Sequence, residues 1–170
     1  MAESKSFDLA ASPGQLLHRA QQFASEQFSL ATGGVEITQR QFALLSALSE
    51  ADGQTQTALV QRTGIDRSTL AELVSRMATK GLVSRERAPG DARANAVKLT
   101  DEGRALYATA IAGAAAADEA ILSALPKNKR ANFVEALTRI SRALDPEAGD
   151  KDKKSKKDGK DKKKKKKKKK

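Results

Sequence analysis

A mainly helical, α+β architecture built around one small β-hairpin is what this sequence predicts, and three observations carry the reading. Aromatic residues are scarce, 4% of 170 residues, while Ala and Leu are frequent, so the core is expected to be aliphatic and made of helices that approach closely. Apolar residues recur at helical spacing through most of the chain. The single departure is the stretch from 82 to 100, where a period-two alternation is broken by Pro89-Gly90. The length allows one domain, or one domain with a tail, and 39% hydrophobic residues suffice for a modest core. An all-β sandwich is disfavoured.

The first helix is expected from about Ser12, with Ser12-Pro13 as N-cap and first turn, and it ends near Gly33-Gly34. Its apolar positions are Leu16, Leu17, Ala20, Phe23, Ala24, Phe28 and Ala31. Thr38 is suited to cap a second helix carrying Phe42, Leu45 and Leu48, which stops before Asp52-Gly53. A short third helix runs from Thr55 to Thr63. Gly64 breaks it, and Asp66 can cap the next helix, Arg67 to Lys80.

That fourth helix divides cleanly into two faces. At 100° per residue Leu70, Leu73, Val74 and Met77 fall on one side and Ser68, Glu72, Ser75 and Thr79 on the other, with Arg67, Thr69 and Arg76 at the edges of the polar stripe. Two helices joined by a tight glycine turn, the second with an open polar face, describe a helix-turn-helix whose second helix fits a major groove. Taken singly, the same stretch is also an ordinary amphipathic surface helix.

The residues after Gly81 favour the helix-turn-helix. Two segments, Val83 to Arg87 and Asn95 to Thr100, flank a loop holding Pro89, Gly90, Asp91 and Arg93. Val97 and Leu99 alternate with Ala96 and Lys98, which gives a strand with one face on the core and one exposed. A hairpin directly after a helix-turn-helix is a winged helix. Its loop carries Arg93 outward to where a phosphate or narrow minor groove attracts it, although a solvated turn has the same composition. From Gln54 to Tyr107 there are 9 basic and 6 acidic residues, so this segment is mildly positive.

The two remaining helices are expected from Thr100-Asp101-Glu102 to Leu125, ended by Pro126, and from about Lys127 to Leu144, with Phe133, Val134, Leu137, Ile140 and Leu144 on one face. In a monomer the Ala-rich helix and the amphipathic helices at either end would leave apolar stripes uncovered, which pairing across a two-fold axis buries.

The net charge of +11 is confined to the end of the chain. Residues 150–170 hold 15 Lys and 4 Asp, and the other 149 residues hold 17 basic and 17 acidic groups. Residues 150–170 have no apolar residue to bury, so a disordered Lys-rich tail is expected, with its boundary near Asp145-Pro146 (146–170). It is read as a solvated end, as a salt-sensitive, sequence-blind contact with DNA phosphates, or, less readily because no amphipathic helix or lipidation site is seen beside it, as a contact with anionic membrane.

Several functions are excluded. The chain has no Cys, hence no disulfide, thiolate nucleophile or thiol-based redox sensor. It has one His and neither a metal-ligand cluster nor a Gly-rich phosphate loop, so no enzyme, no metal and no cofactor is expected. The N-terminus lacks a secretory pattern and no run approaches the roughly 18 apolar residues of a membrane span, so the protein is read as cytoplasmic.

ITQRQFALLSAL, then TQTALVQRTGIDRSTLAELVSRMATKGLVSRERAPGDARANAVKLTDEGRALY, residues 37–107, resembles the MarR family of bacterial transcription regulators. Asp91-Ala-Arg93 followed by VKLTDEGRAL is its most specific part; the flanking helices resemble the family in placement more than in motif. The resemblance implies an N-terminal dimerisation arm (1–36), a winged helix-turn-helix DNA-binding domain (37–107) and C-terminal dimerisation helices (108–145). It further implies a homodimer on a near-palindromic double-stranded operator. Arg67, Ser68 and Thr69 would approach base edges, Arg76 the phosphates, Arg93 the minor groove with Asp91 orienting it or a neighbouring Arg, and Arg85 and Arg87 the backbone. Thr55 and Gln56 would meet phosphate at a helix N-terminus. One departure is Ala94, where many relatives carry a second Arg, which lowers the expected affinity of the wing.

The family also implies a repressor released by a small anionic effector, such as an aromatic acid or its thioester. His18, Arg19, Phe23, Arg40 and Phe42 are the candidates to line its pocket; the plainer alternative places the Phe residues in the core, Arg40 in solvent and His18 at the surface or an interface. The contrasting reading of the whole chain is an architectural, largely non-specific DNA-binding protein that uses its Lys-rich tail.

Overall fold

The computed structural model describes residues 7–88 and 91–143, and for residues 87, 88 and 91–95 the backbone alone. Residues up to Leu125 form one compact unit, and a second begins at Pro126. The first unit contains α1 (Pro13–Ala31), α2 (Gln39–Glu50), β1 (Gln54–Thr55), α3 (Gln56–Thr63), α4 (Arg67–Thr79), β2 (Val83–Ala88), β3 (Asp91–Leu99) and α5 (Asp101–Ser123). The second contains α6 (Lys127–Arg142).

Helix starts coincide with the capping residues. Thr38 and Gln41 form a reciprocal capping box: the Gln41 amide donates to Thr38 Oγ1 at 3.3 Å, and the Thr38 amide donates to Gln41 Oε1 at 2.8 Å. Thr55, Asp66 and Thr100 cap α3, α4 and α5 through their side-chain oxygens, each accepting a hydrogen bond from the amide three residues on. Ser12 stands at the N-cap of α1 without a side-chain cap bond, Pro13 starting the helix instead. Gly64 closes α3 in the left-handed region, φ +66°, where a Cβ would be strained, and so turns the chain into α4.

The core lies where α2, α3, α4 and the sheet meet. Leu44, Leu45, Leu48, Leu59, Leu70, Val74, Met77 and Val97 are fully buried. The four apolar positions expected on one side of α4 are all inside, while Ser68, Glu72, Ser75 and Thr79 are exposed. Buried Gln54 is satisfied by donating to the carbonyls of Ala47 and of Ala51, the latter at 2.8 Å.

The sheet differs from expectation in three ways. Its order is β1-β3-β2, antiparallel throughout, and β1 is an addition to the expected elements: Gln54 and Thr55 pair with Val97 and Ala96, so α3 begins at Gln56. Second, β3 starts at Asp91, with Ala88 opposite Asp91 and an irregularity in register between Arg87 and Ala88. Asp91 and Arg93 therefore belong to strand backbone and not to the wing loop; Pro89 and Gly90 lie outside the described residues. Third, Ala96, expected on the open face, is 1% exposed, because β3 is the central strand and is flanked on both sides.

Two glycines permit close backbone approach. A Cβ on Gly103 would lie 2.0 Å from the Leu82 carbonyl oxygen, at the junction where Thr100 N–H donates to that same oxygen at 3.3 Å and Thr100 Oγ1 donates to the Gly81 carbonyl at 2.7 Å. One on Gly113 would lie 2.7 Å from the Ala31 carbonyl oxygen, which lets α5 seat against the end of α1.

Both α1 and α5 present large apolar surface. Of the apolar positions expected along α1, Phe28 is buried, whereas Leu16, Leu17, Phe23 and Ala31 are exposed, as are Leu30 of the same helix and Ile111 of α5. By length and composition α5 also qualifies as a membrane-crossing helix, which corrects the expectation that no such run exists: many weakly apolar Ala residues sum to the required hydropathy without a conspicuous apolar block. In α6, taken by itself, Val134, Leu137 and Ile140 are exposed and no residue is fully buried. Leu144 and the tail from 146 onward lie outside the described residues.

Candidate nucleic-acid interface

The helix-turn-helix is α3, Gly64 and α4. Its second helix is anchored at the start by Asp66, whose Oδ1 accepts from Ser68 Oγ at 2.6 Å and from the Thr69 amide at 2.9 Å. These bonds, the Ser68 hydroxyl foremost and the Thr69 amide next, hold the Asp66 carboxyl well below the usual carboxylate range. Ser68 therefore turns its hydroxyl proton inward and presents lone pairs outward.

Other residues expected to face DNA are also engaged with the protein. Arg67 is exposed at the first position of α4 and donates to Thr57 Oγ1 at 3.2 Å. Thr69 is half-buried. Arg76 is exposed, 3.6 Å from Glu72. Arg85, on β2, points its guanidinium toward the Ala71 carbonyl of α4 at 3.5 Å. Thr55 and Gln56 are half-buried at the start of α3, and Thr55 Oγ1 accepts from the Ala58 amide at 3.2 Å. The side chains of Arg87, Asp91 and Arg93 lie outside the described residues.

The wing is braced across its strands by an ion pair. Lys98 Nζ meets Glu86 Oε2 at 2.6 Å, a diagonal pair on one face, and this partner raises the Lys98 amine above its ordinary value. Behind it Asp52 Oδ1 accepts from the Leu99 amide at 3.2 Å, while Asp52 Oδ2 faces Arg104 of α5 at 3.5 Å.

The five residues expected to hold an effector are not gathered in one place. His18, Arg19 and Phe23 are exposed on α1 and line none of the three grooves that border α2. Arg40 borders a groove of about 680 Å³ between α1, the start of α2 and α4, and a smaller one near Gly64. Phe42 is half-buried, its ring 5.7 Å from Phe28 and 5.3 Å from Tyr107, and borders a third groove of about 380 Å³.

The groove beside Arg40 and Lys80 contains residues that sequence reasoning missed. Gln21, Ser25 and Gln39 line it beside Arg40, Arg76 and Lys80, and among the described residues no acidic side chain belongs to its lining. Gln21 Nε2 donates to Ser25 Oγ at 3.1 Å and to Gln39 Oε1 at 3.2 Å. The four-residue spacing of Gln21 and Ser25 is readable, but their meeting with Gln39 depends on how α1 crosses α2. In the third groove Arg62 and Glu50 form a salt bridge that ties α3 to α2.

A helix-turn-helix leading into a β-hairpin, with a polar stripe exposed along its second helix, defines a winged-helix DNA-binding protein. Residues 35–94 match the MarR family. The transcriptional regulator HosA of Escherichia coli O111:H- is 33% identical over 108 residues, 64% of this chain and 80% of that protein. The structure of PcaV from Streptomyces coelicolor with its natural ligand superposes with a TM-score of 0.75 at 34% identity, covering 85% of this chain and all of that one. The repressor CouR bound to a 23-mer DNA duplex gives 0.70 at 30% identity, covering 83% of this chain and all of that one. CouR of Rhodococcus jostii RHA1 bound to p-coumaroyl-CoA gives 0.66 at 27% identity, over 80% of this chain and 96% of that one. The chain belongs to the MarR family of winged-helix transcription regulators, which bind DNA and are not enzymes.

Proposed function

We propose that this protein is a dimeric, sequence-specific repressor acting in the cytoplasm, released from a near-palindromic operator by a small anionic effector. The observation that carries the proposal is α4: an apolar face locked into the core and a continuous polar stripe left free on the outside. In this reading Arg67, Ser68, Thr69 and Arg76 meet the major groove and its phosphates, Thr55 and Gln56 meet phosphate through the start of α3, and Arg85, Arg87, Asp91 and Arg93 serve the wing. Arg67 and Arg85 must exchange their present partners, Thr57 and the Ala71 carbonyl, to do so. The DNA complex of the similar repressor CouR supports this assignment.

Residues 1–36 and 108–145 supply the two-fold contact. The exposed apolar side chains of α1, Leu16, Leu17, Phe23 and Leu30, Ile111 of α5, and those of α6 need a second copy to cover them. The dimer presents two α4 helices to half-sites about one turn, roughly ten base pairs, apart.

The effector site is assigned to the groove holding Arg40, Arg76 and Lys80. Three cations without a carboxylate in the lining attract an anion, and two of them stand on α4 or its C-cap. An acid or acyl thioester seated there draws Arg76 away from DNA phosphate and favours a spacing of the two winged domains that does not fit the operator. The p-coumaroyl-CoA complex of CouR and the ligand complex of PcaV support an effector of this kind. The Lys-rich residues 150–170 add sequence-blind attraction to phosphate.

Selection of bound duplexes from a random pool near physiological salt tests the proposal. Recovery of a near-palindrome, released on titration with aromatic acids or their thioesters, is expected. Binding with no enriched sequence and a steep loss on adding salt would instead establish the architectural reading favoured by the charge of the tail.

A further inference from the structure

Around α4 several donors have partners within the protein. Arg67 is turned to Thr57, Arg85 to the Ala71 carbonyl, and the Ser68 hydroxyl proton to Asp66. The exposed stripe carries acceptors beside the donors Arg67 and Arg76, and the strongest acceptor is Glu72. It is the sole acidic side chain in the helix, RSTLAELVSRMAT, one turn beyond Ser68 on the same exposed face, with two thirds of its side chain in solvent. Its neighbour Arg76, 3.6 Å away, is equally exposed, so that pair is screened, weak and readily opened.

A carboxylate facing DNA is repelled by phosphate unless an exocyclic amino group meets it. In the major groove only cytosine N4 and adenine N6 supply one, and the N7 acceptor beside adenine N6 opposes the second carboxylate oxygen. We infer that Glu72 is a specificity-determining residue whose carboxylate accepts a hydrogen bond from the N4 amino group of one cytosine in each half-site. At every other sequence the same charge weakens binding, so Glu72 discriminates by repulsion as well as attraction. The inference rests on α4 being the helix that enters the major groove.

The test is in-vitro selection of DNA by the full chain near physiological salt, run in parallel on the parent and on Glu72→Gln, Glu72→Ala and Ser68→Ala. Gln has the size of Glu and pairs with adenine N6 and N7, so Glu72→Gln is expected to change one position per half-site from cytosine to adenine. Glu72→Ala is expected to lose about 5- to 100-fold of the discrimination at that position while binding random duplex more tightly. If both variants enrich the parent's site unchanged while Ser68→Ala relaxes a different position, α4 does read DNA and the role given to Glu72 is overturned. If no variant alters the parent's site, or the parent enriches none, the placement of α4 in the groove falls, and the inference with it.

Discussion

Replacing Gly103 by Ala puts a methyl group into a junction with no room for it. The added Cβ would sit 2.0 Å from the Leu82 carbonyl oxygen and 3.3 Å from Leu99 Cδ2. The first distance is about 1.4 Å short of ordinary van der Waals contact, and the obstacle is backbone, which cannot rotate aside. The Thr100 amide that bonds to that oxygen is displaced with it. Overpacking of this kind costs about 1–3 kcal/mol and the lost hydrogen bond about 1, against which Ala's better helix propensity returns up to about 1. The net expectation is a destabilisation of about 2 kcal/mol, or roughly 4–8 °C in Tm for a chain of this size, measured at fixed concentration because a dimer's melting depends on it. Gly14→Ala in α1 is the control, since its Cβ would meet nothing closer than Ser12 Oγ at 4.0 Å, and it is expected to leave Tm unchanged or raise it. A Gly103→Ala protein that melts at or above the parent temperature would refute the close approach of α5 to Leu82.

Arg93→Ala is expected to weaken binding to all duplexes alike and to lower the slope of log affinity against log salt by about 1; equal titrations of parent and variant would remove the wing from binding. Deleting residues 150–170 should flatten the salt dependence without changing the selected sequence, and an altered sequence would mean that the Lys run does more than neutralise phosphate. Because the folded Asp66 carboxyl sits below its unfolded value, its contribution is present above about pH 4 and is lost as pH falls through the folded value. Asp66→Asn keeps a capping oxygen but cannot titrate, so denaturation midpoints measured from pH 5 downward should converge for parent and variant; a constant gap would contradict the Ser68 and Thr69 bonds.

Much of the winged helix is legible because its signals are local. Thr38, Asp66 and Thr100 mark helix starts through bonds to amides three residues on, and Leu70, Leu73, Val74 and Met77 mark a buried face through spacing alone. What escapes is tertiary. Gln54 and Thr55 form a strand only because Val97 and Ala96 come to pair with them, and the same pairing buries Ala96. Pro89-Gly90 signals a turn but not its width, so Asp91 and Arg93 read as loop residues although they extend a strand. The residues of the cationic groove come from separate segments, and spacing along the chain does not reveal that Gln39 meets Gln21 or that Arg40 shares a wall with Lys80. Arg67 and Arg85 are legible as positive charge, not as braces on Thr57 and the Ala71 carbonyl.

The order β1-β3-β2 bears on how the protein behaves when crowded. Its longest strand is enclosed, one border is a two-residue strand, and the other, VSRERA, carries alternating Arg and Glu charge at its outer end. A border so short and a border so charged give an incoming strand from another molecule little to zip onto. Self-association is thereby steered away from open-ended sheet growth and toward helical faces, where a two-fold contact closes after a single partner.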